Sequence, residues 1–151
     1  WRYWFNDDEV IAGNTTFTRD FPMDEYPVYV RDGAIIPMKI SRPYTGIGDR
    51  DWAPYLTLNI YPHQTSEFTV HHTDNSGEMR VKVEEGKPMF VSIEGVAKPH
   101  LLRIRLETPP VRITRNDMPL DPGAWTWMPD QKRLLIRSET AVSGKYAIFF
   151  E

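Results

Sequence analysis

The chain has 151 residues, which is enough for one domain with a hydrophobic core or for two small ones. Hydrophobic residues make up 40% of it and charged residues 26%, as in ordinary globular proteins. The net charge of −3 indicates no nucleic-acid partner, and no apolar run reaches the roughly 20 residues that a membrane-spanning helix needs. There is no cysteine, so disulfides and thiol chemistry are excluded. The 13 prolines argue against long helices.

The first 25 residues open with a dense group of rings, namely Trp1, Tyr3, Trp4 and Phe5. The acidic run at residues 7–9 predicts a polar turn, and residues 15–18 predict a short strand. Four rings are too apolar for a solvated terminus, and an unpaired strand edge beside them is a template for association. We therefore expect the chain to self-associate or to bury these rings against a partner.

Residues 26–38 predict a β-hairpin. Residues 28–31 are β-branched and aromatic, and residues 34–36 form the returning strand. Asp32 and Gly33 lie between them and predict a type I′ turn, in which both central residues have positive φ. Pro27 and Pro37 cannot donate a ladder hydrogen bond, so both belong at strand ends or on a sheet edge.

The same stretch resembles the Pro-Val-Phe-Val-Arg-x-Gly-x-Ile-Ile-Pro segment of glycoside hydrolase family 31, the α-glucosidases, α-xylosidases and their relatives. The match is dense from Pro27 to Pro37. The order of Trp1 and Trp4, a glycine-containing loop and this segment also resembles the family. In those enzymes the segment lies in a β-sandwich that follows the catalytic (β/α)8 barrel. The resemblance implies a C-terminal piece of a retaining α-glycosidase that works without a cofactor.

Beyond residue 55 the sequence alternates apolar and polar residues with a period of two, which is typical of antiparallel strands that bury one face. Leu102 and Ile104, for example, alternate with Arg103 and Arg105, which places the two arginines on a polar outer face.

We predict an all-β fold of two small antiparallel β-sandwich domains in tandem. Residues 1–78 would form the proximal C-terminal sandwich of the family, lacking its first strand. Residues 79–151 would form the distal sandwich, which the sequence of residues 111–136 resembles weakly.

The sequence nominates no catalytic residue. Glycoside hydrolysis needs two carboxylates at a fixed separation, and the spacing of the 21 acidic residues singles out no pair. The resemblance implies that the catalytic aspartates lie on barrel strands that precede Trp1. We therefore expect an accessory region that buttresses the catalytic barrel of the same polypeptide and borders its substrate cleft.

A metal site is not expected either. His71 and His72 are adjacent, and adjacent side chains on a strand point to opposite faces, so both cannot readily bind one ion, even with His63, His100 or Asp74 as further ligands. Residues 74–78 lack the remaining ligand positions of a calcium loop. We expect a solvated His71 and a half-packed His72.

The alternative function is a carbohydrate-binding module. Residues 39–55 predict a long loop, and such loops are often functional or contact-making. The loop carries Tyr44, Trp52 and Tyr55, whose flat rings could stack on sugar C–H groups and so contact an oligosaccharide; the competing explanation is contact with the barrel. Trp125 and Trp127 share one strand face, which favours packing over sugar binding.

Overall fold

The structure, a computed structural model, describes residues 1–39 and 55–151 and is all-β. In these two ranges the only helical segments are single 3-10 turns at Pro122–Ala124 and Pro129–Gln131. No helix of the described chain is long and apolar enough to cross a membrane. The predicted all-β class is therefore confirmed.

The described strands form three sheets. A small sheet contains Arg2–Tyr3 (β1), Asn6–Val10 (β2) and Tyr29–Val30 (β3), in the order β2-β1-β3. A five-stranded sheet contains Ile35–Lys39 (β4), Leu56–Ile60 (β5), His100–Arg105 (β9), Trp125–Met128 (β12) and Arg133–Ser138 (β13), in the order β12-β13-β9-β5-β4. A six-stranded sheet contains Thr65–His71 (β6), Glu78–Glu84 (β7), Met89–Gly95 (β8), Arg112–Arg115 (β10), Met118–Pro119 (β11) and Gly144–Phe149 (β14), in the order β11-β10-β14-β8-β7-β6.

The two larger sheets share one hydrophobic core. Their inward side chains follow the period of two, most clearly in β7 and β8, where alternate residues are removed from water. The most completely buried of them include Leu58, Val81, Leu102, Ile136 and Ile148. This arrangement is a β-sandwich, as predicted.

Both sheets of the sandwich combine strands from either side of residue 78. β6 pairs with β7 along its whole length, and β5 pairs with β9 in parallel, with Leu58 opposite Leu102. Parallel neighbours need a crossover connection, and the chain makes it here through β6, β7 and β8 of the other sheet. The domain boundary expected between residues 78 and 79 stays a prediction, and the strands that flank it are hydrogen-bonded neighbours.

The hairpin prediction is wrong about which strands pair, but it is right about the positive φ of Gly33. β3 pairs with β1, whereas β4 pairs with β5, so the two segments belong to different sheets. Gly33 has a φ of +89°, and the Ala34 N–H donates to the Arg31 carbonyl at 3.1 Å across the turn. Asp32 has no positive φ, so the turn follows the type II pattern rather than type I′. Type I′ turns connect the paired strands of a hairpin, whereas a type II turn can connect strands that do not pair. Pro37 lies in the edge strand β4, as its missing N–H requires.

Two predictions for the first 25 residues are wrong. Residues 7–9 lie within β2 rather than in a turn, and residues 15–18 form no strand. The acidic side chains of β2 are held in ion pairs, such as Glu9 with Arg19 at 2.7 Å. Because their charges are paired, these residues can lie in a strand that packs over the sandwich.

Candidate functional site

The outer face of the five-stranded sheet is covered rather than solvated at β9. All six residues of β9 are buried, because Leu102 and Ile104 face the core while Arg103 and Arg105 lie beneath a second layer. Arg105 is only 4% exposed. Sequence alternation correctly assigned the two arginines to one face, but packing on one side only was the wrong expectation for this strand.

One carboxylate joins β2 to two neighbouring strands of the sandwich. Arg105 of β9 lies opposite Arg133 of β13 in the strand register. The Asp7 Oδ1 atom accepts from Arg105 Nε at 3.1 Å, and its Oδ2 atom accepts from Arg133 Nη2. Both guanidinium groups are almost completely buried, so Asp7 neutralises charge that water cannot reach.

The rim of this cluster is solvated. The Asp8 Oδ1 atom accepts from Lys132 Nζ at 2.8 Å, and Arg105 Nη1 lies 3.0 Å from Glu107. The Lys132 hydrogen bond lowers the pKa of Asp8. The side chains of Asp8 and Lys132 are 57% and 38% exposed, so this pair contributes only about 0–1 kcal/mol to stability.

Arg133 is 2% exposed and is held from two sides. Besides its bond to Asp7, its Nη2 atom donates to Tyr61 Oη at 3.2 Å. Burial, followed by the nearby charge of Arg2, lowers the pKa of Arg133 to about 10, which leaves it protonated at pH 7. Its Nε and Nη1 atoms are buried without a hydrogen-bond partner among the described residues.

A cleft of about 360 Å³ opens between β2 and the buried Arg103 and Arg133. Trp4 and Phe5 provide its aromatic side. Its floor includes an ordered amide network, in which Arg103 Nη1 donates to Asn59 Oδ1 at 3.0 Å and Arg103 Nη2 donates to Gln131 Oε1 at 3.3 Å. We call this space the arginine cleft.

Sequence reasoning missed the arginine cleft. Two signals point towards it: the Asp7–Asp8 doublet directly after four rings, and the arginines at alternate positions of an otherwise apolar β9. Neither signal identifies the other as its partner, because Asp7 and Arg105 are 98 positions apart in the sequence.

Two of the three residues predicted to contact carbohydrate, Tyr44 and Trp52, lie outside the described residues. Tyr55 is half-buried and packs with Met38 and Leu101 on the outer face of the five-stranded sheet. It also borders a second cleft of about 410 Å³ beside β6. Carbohydrate contact through Tyr44, Trp52 and Tyr55 stays a prediction.

The histidine pair and the tryptophan pair take the packing arrangements that the strand geometry predicted. His71 is exposed, whereas His72 is buried with its Nε2 atom 2.6 Å from the Val96 carbonyl oxygen. Trp125 and Trp127 are half-buried and pack against the main core. Within the described ranges, no three His, Cys, Asp or Glu side chains are grouped to hold a metal ion.

The small sheet carries an exposed apolar surface. Tyr3 is 1% exposed and packs against Tyr29, with ring centroids 5.5 Å apart. Other large apolar side chains of the same segment remain accessible, and Met23 is fully exposed. We define the N-terminal apolar surface as Trp1, Phe5, Val10, Phe17, Met23, Tyr26 and Val28. These are seven of the 12 large exposed hydrophobic residues in the described chain.

The fold matches one part of much larger enzymes. A GH31 dextranase from Flavobacterium johnsoniae, solved with isomaltotriose, superposes with a TM-score of 0.78 at 16% identity, over 99% of this chain and 23% of that chain. The cycloalternan-forming enzyme from Listeria monocytogenes, in complex with a pentasaccharide substrate, gives a TM-score of 0.79 at 19% identity, over 99% of this chain and 16% of that chain. An uncharacterised L. monocytogenes protein solved with glucose gives 0.78 at 20% identity, with the same coverage as the cycloalternan-forming enzyme.

The resemblance to glycoside hydrolase family 31 is therefore confirmed at the level of the fold. No protein-family model and no curated protein matches the sequence. The chain spans 16–23% of the length of the structures it matches, so its fold is that of a single region within such enzymes.

Proposed function

We propose that this chain is the non-catalytic C-terminal region of a retaining α-glycosidase of the family 31 type. The observation that carries the proposal is the superposition of 99% of the chain on 16–23% of enzymes that include a GH31 dextranase. Its partner is the catalytic barrel of the same polypeptide, which it buttresses, and it borders the substrate cleft of that barrel.

The N-terminal apolar surface supports this role. Exposed apolar patches on soluble domains commonly mark an interaction surface. Here the exposed residues, including Met23 and Tyr26, belong to one segment of 28 residues around the small sheet, whereas the sandwich behind it has a closed core. A neighbouring domain that packs against the small sheet would remove these side chains from water.

Two acidic residues of β2 are held in ion pairs, which supports a non-catalytic role for them. A retaining glycosidase positions two carboxyl groups roughly 5–5.5 Å apart, one of them as a free nucleophile. Asp7 is held between two buried guanidinium groups, and Asp8 is paired with Lys132. The isolated chain should not hydrolyse aryl α-glucosides or α-xylosides. Turnover that survives repurification and disappears on changing one Asp or Glu would overturn the proposal.

Packing on the barrel is tested with two exposed methionines. In the complete polypeptide that the gene encodes, Met23→Ser should lower the midpoint of thermal unfolding, because the side chain is buried against the barrel. Met118→Ser, at the edge of the six-stranded sheet, is the matched control and should have no effect. In the isolated chain, at dilutions where it is monomeric, both changes should be neutral. A gene without a barrel-sized sequence before Trp1, or equal effects of the two changes in the complete polypeptide, would contradict this role.

The second candidate function is carbohydrate binding through Tyr44, Trp52 and Tyr55. The observation in its favour is that Tyr55 borders the cleft beside β6. Titration of the isolated chain with maltose-type and xyloglucan-type oligosaccharides tests it, with Tyr55→Ala as the variant that should lose binding. Unchanged affinity in Tyr55→Ala would exclude Tyr55 from the contact.

A further inference from the structure

We infer that the arginine cleft is a binding site for a neutral sugar of mono- or disaccharide size. The site is distinct from the predicted loop with Tyr44 and Trp52, and it consists of described residues alone. It does not rest on the proposed packing against a barrel, because the cleft lies between β2 and the sandwich of this same chain.

The size of the cleft suits a small ligand. Its volume of about 360 Å³ is at the lower end of the roughly 300–1,000 Å³ typical of small-molecule sites. Its two sides come from different sheets, with Trp4 and Phe5 beside β2 and Asn59 and Arg103 on the five-stranded sheet.

Arg133 lines the buried side of the cleft and has hydrogen-bonding capacity that the described residues do not use. Arg133 is held by Asp7 and Tyr61, yet its Nε and Nη1 atoms have no acceptor in the described part of the chain. A buried N–H without an acceptor is destabilising, and native structures rarely leave one. Both atoms lie beneath the surface of the cleft, so an oxygen atom of a bound ligand becomes their acceptor only when the Arg133 side chain turns towards the cleft.

The polarity of the lining favours hydroxyl groups over an anion. Carboxylates of Asp8 and Asp130 line the same cleft as Arg133, so a negatively charged ligand would meet repulsion as well as attraction. A sugar hydroxyl can donate one hydrogen bond and accept two. It can therefore accept from a guanidinium group and donate to a carboxylate within one site.

The aromatic side of the cleft completes the match to a sugar. Trp4 is half-buried, and its backbone N–H donates to the Val28 carbonyl at 3.0 Å. This hydrogen bond fixes the backbone position from which the indole ring extends. Phe5 is exposed beside it. A flat ring next to hydrogen-bonding groups suits a ligand with one apolar C–H face and a polar edge.

The test is a titration of the isolated chain with glucose, maltose and isomaltose, followed by NMR of the backbone amides. We expect binding in the millimolar range, with shifts at Trp4, Asn59 and Gln131. Asp130 and Gln131 are exposed, so Asp130→Asn and Gln131→Ala should keep the fold and weaken binding about tenfold, as expected for the loss of a charged or fixed hydrogen bond.

Two matched variants locate the binding. Asp117→Asn, in the turn between β10 and β11, removes a distant exposed carboxylate and should leave the affinity unchanged. Tyr55→Ala alters the other cleft and should also leave this affinity unchanged, whereas the second candidate function expects Tyr55→Ala to lose binding. Loss of binding in Tyr55→Ala with retention in Gln131→Ala would overturn the assignment to the arginine cleft.

The ligand class is tested with glucuronate and glycerol as comparison probes. Neutral sugars should bind better than either. Tighter binding of glucuronate than of glucose would overturn the neutral class, and equal shifts with glycerol would show an unselective polar surface. Absence of binding for all three sugars would refute the site itself, while leaving the proposed packing role untouched.

Discussion

Gly33 and Gly95 have positive φ values in different surroundings. A Cβ atom at Gly33 would meet nothing closer than 3.8 Å, whereas at Gly95 it would lie 2.5 Å from the Glu78 carbonyl oxygen. That oxygen accepts the Val96 N–H at 2.9 Å and cannot shift freely. Gly33→Ala should therefore cost only its backbone strain, about 1–3 kcal/mol, and Gly95→Ala should cost clearly more. Urea unfolding of both variants measures this, and equal midpoints would contradict the comparison.

His100 links the two sheets of the sandwich through its ring. The Nδ1 atom donates to the Lys98 carbonyl at 2.7 Å, which leaves Nε2 to accept from the Tyr146 hydroxyl at 3.0 Å. Burial lowers the pKa of His100, although the hydrogen bond to Lys98 opposes the shift and the charge of Arg115 adds to it. The imidazole is thus neutral in the folded chain.

This arrangement predicts a loss of stability in mild acid. Below pH 6.5 the unfolded chain binds a proton at His100 that the folded chain binds only at lower pH, so the free energy of unfolding falls as the pH decreases. His100→Gln should reduce this dependence below pH 6.5, while His63→Gln, at an exposed position, should keep it. A direct NMR titration of the His100 ring provides the second measurement, and an apparent pKa above 6.5 would exclude the mechanism.

At the scale of the elements, the attachment of β2 depends on Asp7. Removing one partner from a buried charge cluster leaves uncompensated charge, which typically costs about 3–5 kcal/mol. Asp7→Asn should lower the free energy of unfolding by about that amount and increase amide exchange in the small sheet, because Arg105 and Arg133 lose their shared carboxylate. Glu9→Gln is the matched control on the same strand, because the Glu9–Arg19 pair is partly exposed, and it should cost no more than about 1 kcal/mol. Similar effects of the two changes would show that β2 is attached by other contacts.

The period of two in the sequence predicts which residues of a strand share a face, but it cannot predict what covers that face. It assigned Leu102 and Ile104 to the core and Arg103 and Arg105 to the opposite side, and both assignments are confirmed. The cover supplied by β2 depends on a contact between residues far apart in the chain, for which local alternation carries no information. Gly33 shows the same limit, since its positive φ follows from local chemistry whereas the sheet that each flanking strand joins does not.

At the scale of the whole molecule, the N-terminal apolar surface predicts association of the isolated chain. Met23 and Tyr26 are largely exposed, and β2 and β3 are the two edges of the small sheet. Sedimentation over a wide concentration range should show a concentration-dependent dimer, which Met23→Ser weakens and Met118→Ser does not. A monomer at all concentrations would mean that this surface is tolerated in water.

Overall class and approximate strand positions follow from the sequence because each strand beyond residue 55 carries its own alternation and is bounded by turn residues. The interleaving of the two sheets does not follow from it. Nothing local to β5 indicates that its partner is β9, since any strand with a matching apolar face could occupy that place.

The parallel pairing of β5 with β9 also affects the folding of the chain during its synthesis. A ribosome adds roughly 5–20 residues per second, so β5 emerges seconds before the strand that will cover its open edge. Until then β4 can pair with one side of β5, while the hydrogen-bonding groups on its other side have no partner from the chain made so far. Pairings between distant segments also fold slowly, because the intervening loop must close before they form. The nascent chain therefore passes through a stage in which the exposed edge of β5 is open to chaperones or to misassembly.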